Sequence, residues 1–316
     1  MDILPEIDLS ENRITNNTID KLIKTLKTTK FKKLNLESVF TKNNKQETFE
    51  ILRKICEVIK ESTNLEELII SKNALGKSGA KALKVFLTNN VNLKHLIIDD
   101  AGLGEGESLS LCKKLQIINL EDNFFTKKTS KMLSRSLANW PDLKQLIIND
   151  CLICKKGVIY ILEALLKGTN KNIEYLGFQY CSIDENGFYT LASIIKKSLM
   201  LKVVEINGNY SIKKKCMSKL NLVSKKNGTL INGFDDLINE DDEGEEKEGK
   251  EKELDDNEVE EIHNDMKGKG HDGKEGKEEE GLDVEEEEGD YDEKEGKEEE
   301  GLDVEEEEGD YDGKEE

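Results

Sequence analysis

The sequence contains no run of about 18 consecutive apolar residues, so no membrane-spanning helix is expected. Its N-terminus, Met1-Asp2-Ile3-Leu4-Pro5-Glu6, has neither a basic start nor an apolar stretch, and it is not read as a secretory signal. An intracellular location is expected, in the cytoplasm and including the perinuclear region. There are 3 histidines, and two of them, His263 and His271, lie in a charged C-terminal stretch, leaving little for imidazole catalysis or metal binding. The 6 cysteines, Cys56, Cys112, Cys151, Cys154, Cys181 and Cys216, are read as reduced thiols in that compartment. Cys151-x-x-Cys154 has no second pair to complete a zinc site. No Ser/His/Asp or Cys/His set is present. Gly76-Lys77-Ser78 ends like a phosphate-binding loop, but Ser71 stands where the upstream glycine is required. Gly102-Leu103-Gly104-Glu105-Gly106 lacks the dinucleotide spacing. These absences argue against an enzyme, a cofactor or a metal. Aromatic residues make up 5% and lysines are spread along the chain, so nucleic acid is not an expected partner.

Charge divides the chain in two. Residues 235–316 hold 43 acidic and 10 basic residues, a net of −33, whereas residues 1–234 hold 25 acidic and 37 basic, a net of +12. Such asymmetry separates a folded part from an acidic interaction tail. We place the folded domain at 1–238 and a low-complexity tail at 239–316. The tail has almost nothing apolar to bury. It carries a segment of 19 residues twice without change, KEGKEEEGLDVEEEEGDYD at Lys274–Asp292 and again at Lys294–Asp312. The simpler reading is a solubilising tail; the sharper one is an electrostatic contact with basic proteins, this chain's own basic domain included.

The domain is a repeat array. The pattern L-x-x-L-x-L-x-x-N/C-x-L begins at Leu4, Phe31, Leu65, Leu93, Leu115, Leu143, Ile173 and Leu201, giving about eight repeats of roughly 28 residues. Alternating apolar positions form a short parallel strand with one face inward. The Asn or Cys that follows (Asn12, Asn73, Asn123, Cys151, Cys181, Asn209) bends the chain and satisfies backbone groups in the turn; Val39 and Ala101 stand at that position in the second and fourth repeats. Between strands, Ile19-Leu22-Ile23-Leu26, Phe49-Leu52-Ile55-Ile59, Ala80-Leu83-Phe86-Leu87, Met132-Leu133-Leu137 and Val158-Ile161-Leu162-Leu165 show helical spacing. The expected fold is α/β, a leucine-rich-repeat horseshoe of the ribonuclease-inhibitor-like type, with strands concave and helices convex. The interval from Leu93 to Leu115 is only 22 residues, too short for a full helix at Glu105-Gly-Glu-Ser-Leu-Ser. His95 is read as a strand-edge surface residue, and Leu220–Leu237 as a C-terminal cap.

The stretch Leu115–Leu166, with Trp140-Pro141 and Asn149-Asp150-Cys151-Leu152, resembles the corresponding repeats of the Ran GTPase-activating proteins. Phe40-Thr41-Lys42 followed by a long repeat, Asn73-Ala-Leu-Gly76, Gly102-Leu-Gly104 and the acidic tail extend the resemblance. It implies a shortened, monomeric member that binds the GTP form of the small GTPase Ran and stimulates hydrolysis in nucleocytoplasmic transport. Such proteins act without a trans arginine finger, by helping the GTPase's own glutamine orient the attacking water. In the turn Asp99-Asp100-Ala101-Gly102-Leu103-Gly104, Asp100 stands at the family's helper-asparagine position. It can accept a hydrogen bond but not donate one. In Phe40-Thr41-Lys42-Asn43, Asn43 falls on a family arginine and Lys42 lies one residue early. Thr41, Lys42, Asn43, Lys72 and Asp99 form the implied partner-binding set. Two alternatives stand beside this reading. One is a catalytically degenerate module that binds Ran or another protein. The other is an acidic-tailed histone-binding protein, although those have repeats of 22 to 24 residues, shorter than the intervals here.

Overall fold

The computed structural model describes residues 3–103 and 112–237. The tail 239–316 and the shortened segment around Glu105 lie outside the described residues.

Each apolar pattern forms a short strand: β1 (Leu4–Asp8), β2 (Phe31–Asn35), β3 (Glu67–Ile69), β4 (His95–Ile97), β5 (Ile117–Asn119), β6 (Gln145–Ile147), β7 (Tyr175–Gly177), β8 (Val203–Glu205) and β9 (Leu230–Asn232). They form one parallel sheet in sequence order. The register is unbroken: Ile7, Leu34, Leu68, Leu96, Ile118, Leu146, Leu176, Val204 and Ile231 make one inward row. From Leu34 to Val204 that row is fully buried. A slip of one residue in any strand would turn its apolar set outward, which is why the register holds.

The helices are α1 (Ile19–Thr28), α2 (Lys45–Ile59), α3 (Gly76–Asn89), α4 (Lys127–Ser136), α5 (Lys155–Lys167), α6 (Glu185–Lys197) and α7 (Lys214–Asn227). Their apolar stripes close the core from the other side, Ile51, Leu52 and Ile55 on α2 and Val158, Ile161 and Leu162 on α5 being buried. Several starts are fixed by side-chain caps: Asn44 Oδ1 accepts from Glu47 N at 2.8 Å, and Asp184 Oδ1 from Gly187 N at 3.1 Å. The molecule is thus an α/β leucine-rich-repeat solenoid. No helix of the described residues is long and apolar enough to cross a membrane.

Two features add detail to the sequence reading. The segment read as a cap contains the end of α7 and a ninth strand, β9, paired with β8 in the same register. Its signal is weak because no asparagine turn follows Leu230, Ile231 and Asn232. The second is α6, the helix of the seventh repeat, which buries Phe188, Leu191, Ile194 and Ile195.

Candidate functional site

The turn that leaves each of the first eight strands repeats one backbone conformation. Glu11, Ser38, Lys72, Asp100, Asp122, Asp150, Tyr180 and Gly208 all have positive φ, between 47° and 69°. Each immediately precedes the Asn/Cys position of its repeat. Their amides bind the next repeat: Lys72 N donates to Asp99 O at 2.9 Å, Asp100 N to Glu121 O at 2.9 Å, Asp122 N to Asn149 O at 2.9 Å and Asp150 N to Gln179 O at 2.8 Å. The turns therefore stack one on another, one strand spacing apart, about 4.8 Å.

Buried asparagines hold this stack. Asn123 Nδ2 donates to Ile98 O at 2.7 Å in the preceding repeat and to Leu120 O at 2.9 Å in its own, while its Oδ1 accepts from Leu103 N at 2.8 Å. Asn73 makes the same set with Leu36 O, Ile70 O and Phe40 N. At Val39, Ala101 and Cys151, where the position is not asparagine, the backbone carbonyl takes over as acceptor: Val39 O from Ile14 N at 3.5 Å, Ala101 O from Leu75 N at 3.0 Å, Cys151 O from Phe125 N at 2.9 Å. The Cys151 thiol donates to Leu120 O at 2.9 Å, whereas Cys154 is exposed at the start of α5. Both are turn positions.

All six residues singled out from the sequence lie on this strand-to-helix rim, in three adjacent repeats. Thr41 and Lys42 are exposed in the turn after β2. Asn43 is half-buried: its Nδ2 donates to Ile14 O at 2.7 Å, and its Oδ1 accepts from Arg13 Nε at 3.4 Å. Arg13 also donates to Lys42 O at 3.4 Å. A guanidinium thus does stand at this turn, supplied from the first repeat, and sequence spacing gives no sign of it. Lys72 pairs with Glu37 Oε1 at 2.6 Å, and this hydrogen bond raises its pKa. Asp99 accepts from the Ser71 hydroxyl. The Asp100 carboxylate is exposed and makes no hydrogen bond or ion pair among the described residues.

Asp100 does not stand alone. Asp122 and Asp150 occupy the same turn position in the next two repeats. Burial, and then Asp100, Asp150 and Asp99, hold the Asp122 carboxyl above its ordinary value. Glu121 is raised chiefly by burial, against a lowering hydrogen bond from Asn149, with Asp99 and Glu205 adding to the rise. Two residues on from the left-handed position, Phe124, Leu152 and Tyr210 project as exposed apolar side chains, and Tyr180 does so from the left-handed position itself. The helices that follow open with Lys127 and Lys128, Lys155 and Lys156, and Lys214 and Lys215, with no acidic residue in those first turns. From strand to helix, the rim of the fifth and sixth repeats therefore runs acidic, apolar, basic; in the seventh, Tyr180 holds the turn and α6 opens with Asp184 and Glu185. Superposing the repeats position by position would have found these residues, because they fall at the variable positions of the pattern.

On the solvent side of the sheet, Glu6, Lys33, Glu67 and His95 form a charged row. Lys33 Nζ lies 3.1 Å from Glu6 and 3.4 Å from Glu67, and His95 Nδ1 lies 2.8 Å from Glu67 Oε2. His95 thus belongs to the exposed sheet face, not to a catalytic set. Ile69, Ile97, Ile117 and Ile147 lie half-buried beside this row.

No protein-family model matches the chain. Ran GTPase-activating protein 1 of Saccharomyces cerevisiae is 23% identical, over 65% of this chain and 70% of its own length. Among solved structures, the tropomodulin C-terminal domain of Caenorhabditis elegans is 14% identical, covers 66% of this chain and 92% of that one, and has a TM-score of 0.34. The chain is a leucine-rich-repeat protein with sequence similarity to a yeast activator of the Ran GTPase.

Proposed function

We propose that this chain regulates a small GTPase of the Ran type, binding its GTP form on the strand-to-helix rim and stimulating hydrolysis in nucleocytoplasmic transport on the cytoplasmic side. The observation that carries this reading is the stacking of the turns at Thr41–Asn43, Lys72 and Asp99–Asp100 on one rim, in a chain similar to yeast Ran GTPase-activating protein 1.

The chemistry asked of the rim is modest. A carboxylate at Asp100 accepts an N–H from the GTPase's glutamine amide, which leaves that amide's oxygen to orient the attacking water. Lys42 and Arg13 present positive charge at the neighbouring end of the rim. No residue of this chain bonds covalently to the nucleotide.

A second reading, a binding module without acceleration, has its own support. Asp99, Asp100, Glu121 and Asp122 concentrate negative charge where a γ-phosphate would approach, and Asn43 is engaged with Ile14. Single-turnover hydrolysis of GTP on Ran, with and without the full chain, separates the two. Acceleration by orders of magnitude that Asp100→Ala abolishes supports activation. Tight binding with unchanged hydrolysis supports the module, and no binding at all removes the GTPase from both.

A further inference from the structure

The solvent side of the sheet carries a stripe that the core does not use. On six consecutive strands, β3 to β8, one outward side chain is apolar and half-buried: Ile69, Ile97, Ile117, Ile147, Tyr175 and Val203. Ile69, Ile97 and Ile147 stand in one register row and the other three in the row beside it. The stripe therefore steps between rows through diagonal neighbours about 7–8 Å apart, within reach of long side chains. Gly177 puts no side chain in its way, and Ile147 Cγ2 leans to 3.2 Å from where a Cβ there would stand.

Charge on this face is one-sided. Residues 1–234 hold 37 basic and 25 acidic residues, yet no lysine or arginine stands on the solvent side of β3 to β8. Toward the strand-to-helix rim the stripe is lined by Asp99, Glu121 and Glu205. Neutral groups hold these carboxylates: Ser71 donates to Asp99, Asn149 to Glu121, and Gln179 Nε2 to Glu205 Oε2 at 2.6 Å. None of the three is in an ion pair among the described residues. Burial, with Asp99 and Glu205 adding to it, holds the Glu121 carboxyl above its ordinary value, and a cation alongside would reverse that. On the opposite side of the stripe Glu67 is already engaged with Lys33 and His95.

We propose that this face docks an amphipathic α-helix of a partner protein, its apolar side on the Ile69–Val203 stripe and lysines or arginines along the one edge that meets Asp99, Glu121 and Glu205. Charge complementarity sets the basic edge, and spacing sets the helix. Six strands span about 24 Å, the length of a helix of about 16 residues. A helix returns to the same face every turn, about 5.4 Å, close to the strand spacing of about 4.8 Å, whereas an extended chain does so about every 6.6 Å. Each of β3 to β8 is also paired on both edges, so the face has no backbone groups to offer an extended chain. A helix closes its own hydrogen bonds and needs none. The surface lies on the sheet, not on the turns proposed for the GTPase, and the inference does not rest on that reading.

The test is a fluorescence-anisotropy titration of the full chain against a labelled synthetic helix of about 16 residues, with leucines along one face and lysines along one edge of it. A scrambled peptide of the same composition is the control; the acidic tail meets the same charge in both, so the difference between them reads the stripe. The helix is expected to bind about tenfold more tightly than the scrambled peptide. Ile147→Ala and Glu205→Gln are each expected to cut that preference about threefold or more. Ile147→Ala trims a half-buried outward side chain, and Glu205→Gln keeps an oxygen for Gln179, so both variants retain the fold. Equal binding of the two peptides, or a preference that survives both substitutions, would overturn the docking stripe. A helix edged with glutamates that bound as tightly as the lysine helix would overturn the charge match.

Discussion

The ring of Tyr180 lies in the space that a Cβ on Gly208 would need, and Gly208 is the one glycine on the ladder of left-handed turn residues. The seventh repeat thus lays its aromatic side chain across the eighth, and the eighth gives way by having no side chain. Gly208→Ala is expected to displace the ring and to strain φ 69°, destabilising the domain by about 1–2 kcal/mol in urea unfolding. An unchanged midpoint would show that the ring moves freely aside.

Asn123 ties the fourth repeat to the fifth through its side-chain amide. Asn123→Ala leaves Ile98 O, Leu120 O and Leu103 N short of partners in a buried turn, and a loss of roughly 2–4 kcal/mol is expected. Asn123→Cys should lose less, because a thiol at this position can donate as Cys151 Sγ does to Leu120 O. Denaturant midpoints rank the three proteins, and equal losses for Ala and Cys would refute the thiol's role.

Asp122 ionises against burial and against Asp100, Asp150 and Asp99, so its folded pKa lies above the ordinary 3.8. An acid raised in this way favours the folded state when protonated and opposes it when charged. Its contribution is fully present below pH 3.8 and is lost as pH rises through the folded pKa. Asp122→Asn is therefore expected to raise the melting temperature at pH 7, with the gain over wild type shrinking as pH falls toward 3. Paired melts across that range read the difference directly, and a gain that is constant with pH would assign it to backbone preference instead of charge.

Among the six cysteines only Cys154 is exposed. Burial pushes the Cys112 and Cys151 thiols up to about 12 and holds Cys56 and Cys181 well above their ordinary value. A thiol reagent at pH 8 is expected to label one cysteine quickly in the native protein and the others only on unfolding. Cys154→Ser should abolish the fast phase; its persistence would place the reactive thiol elsewhere.

Much of this architecture is legible residue by residue. Leu65, Leu68 and Ile70 declare an inward strand face by their alternation, and Asn73 declares the turn, because the physics that places them acts within a few residues. The roles of Asn73, Asn123 and Cys151 in satisfying backbone groups followed from the same local logic. What could not be read is anything that one repeat does to the next. Arg13 and Asn43 are thirty residues apart and share no local signal. Neither Asp122 nor Phe124 breaks a local rule, and each acquires meaning only when Asp100, Asp150 and Leu152 arrive beside it. Local periodicity fixed the strands, the turns and their register. Only lateral stacking, which brings residues some 28 positions apart to about 4.8 Å, decided which charges, apolar side chains and strained turns form one surface.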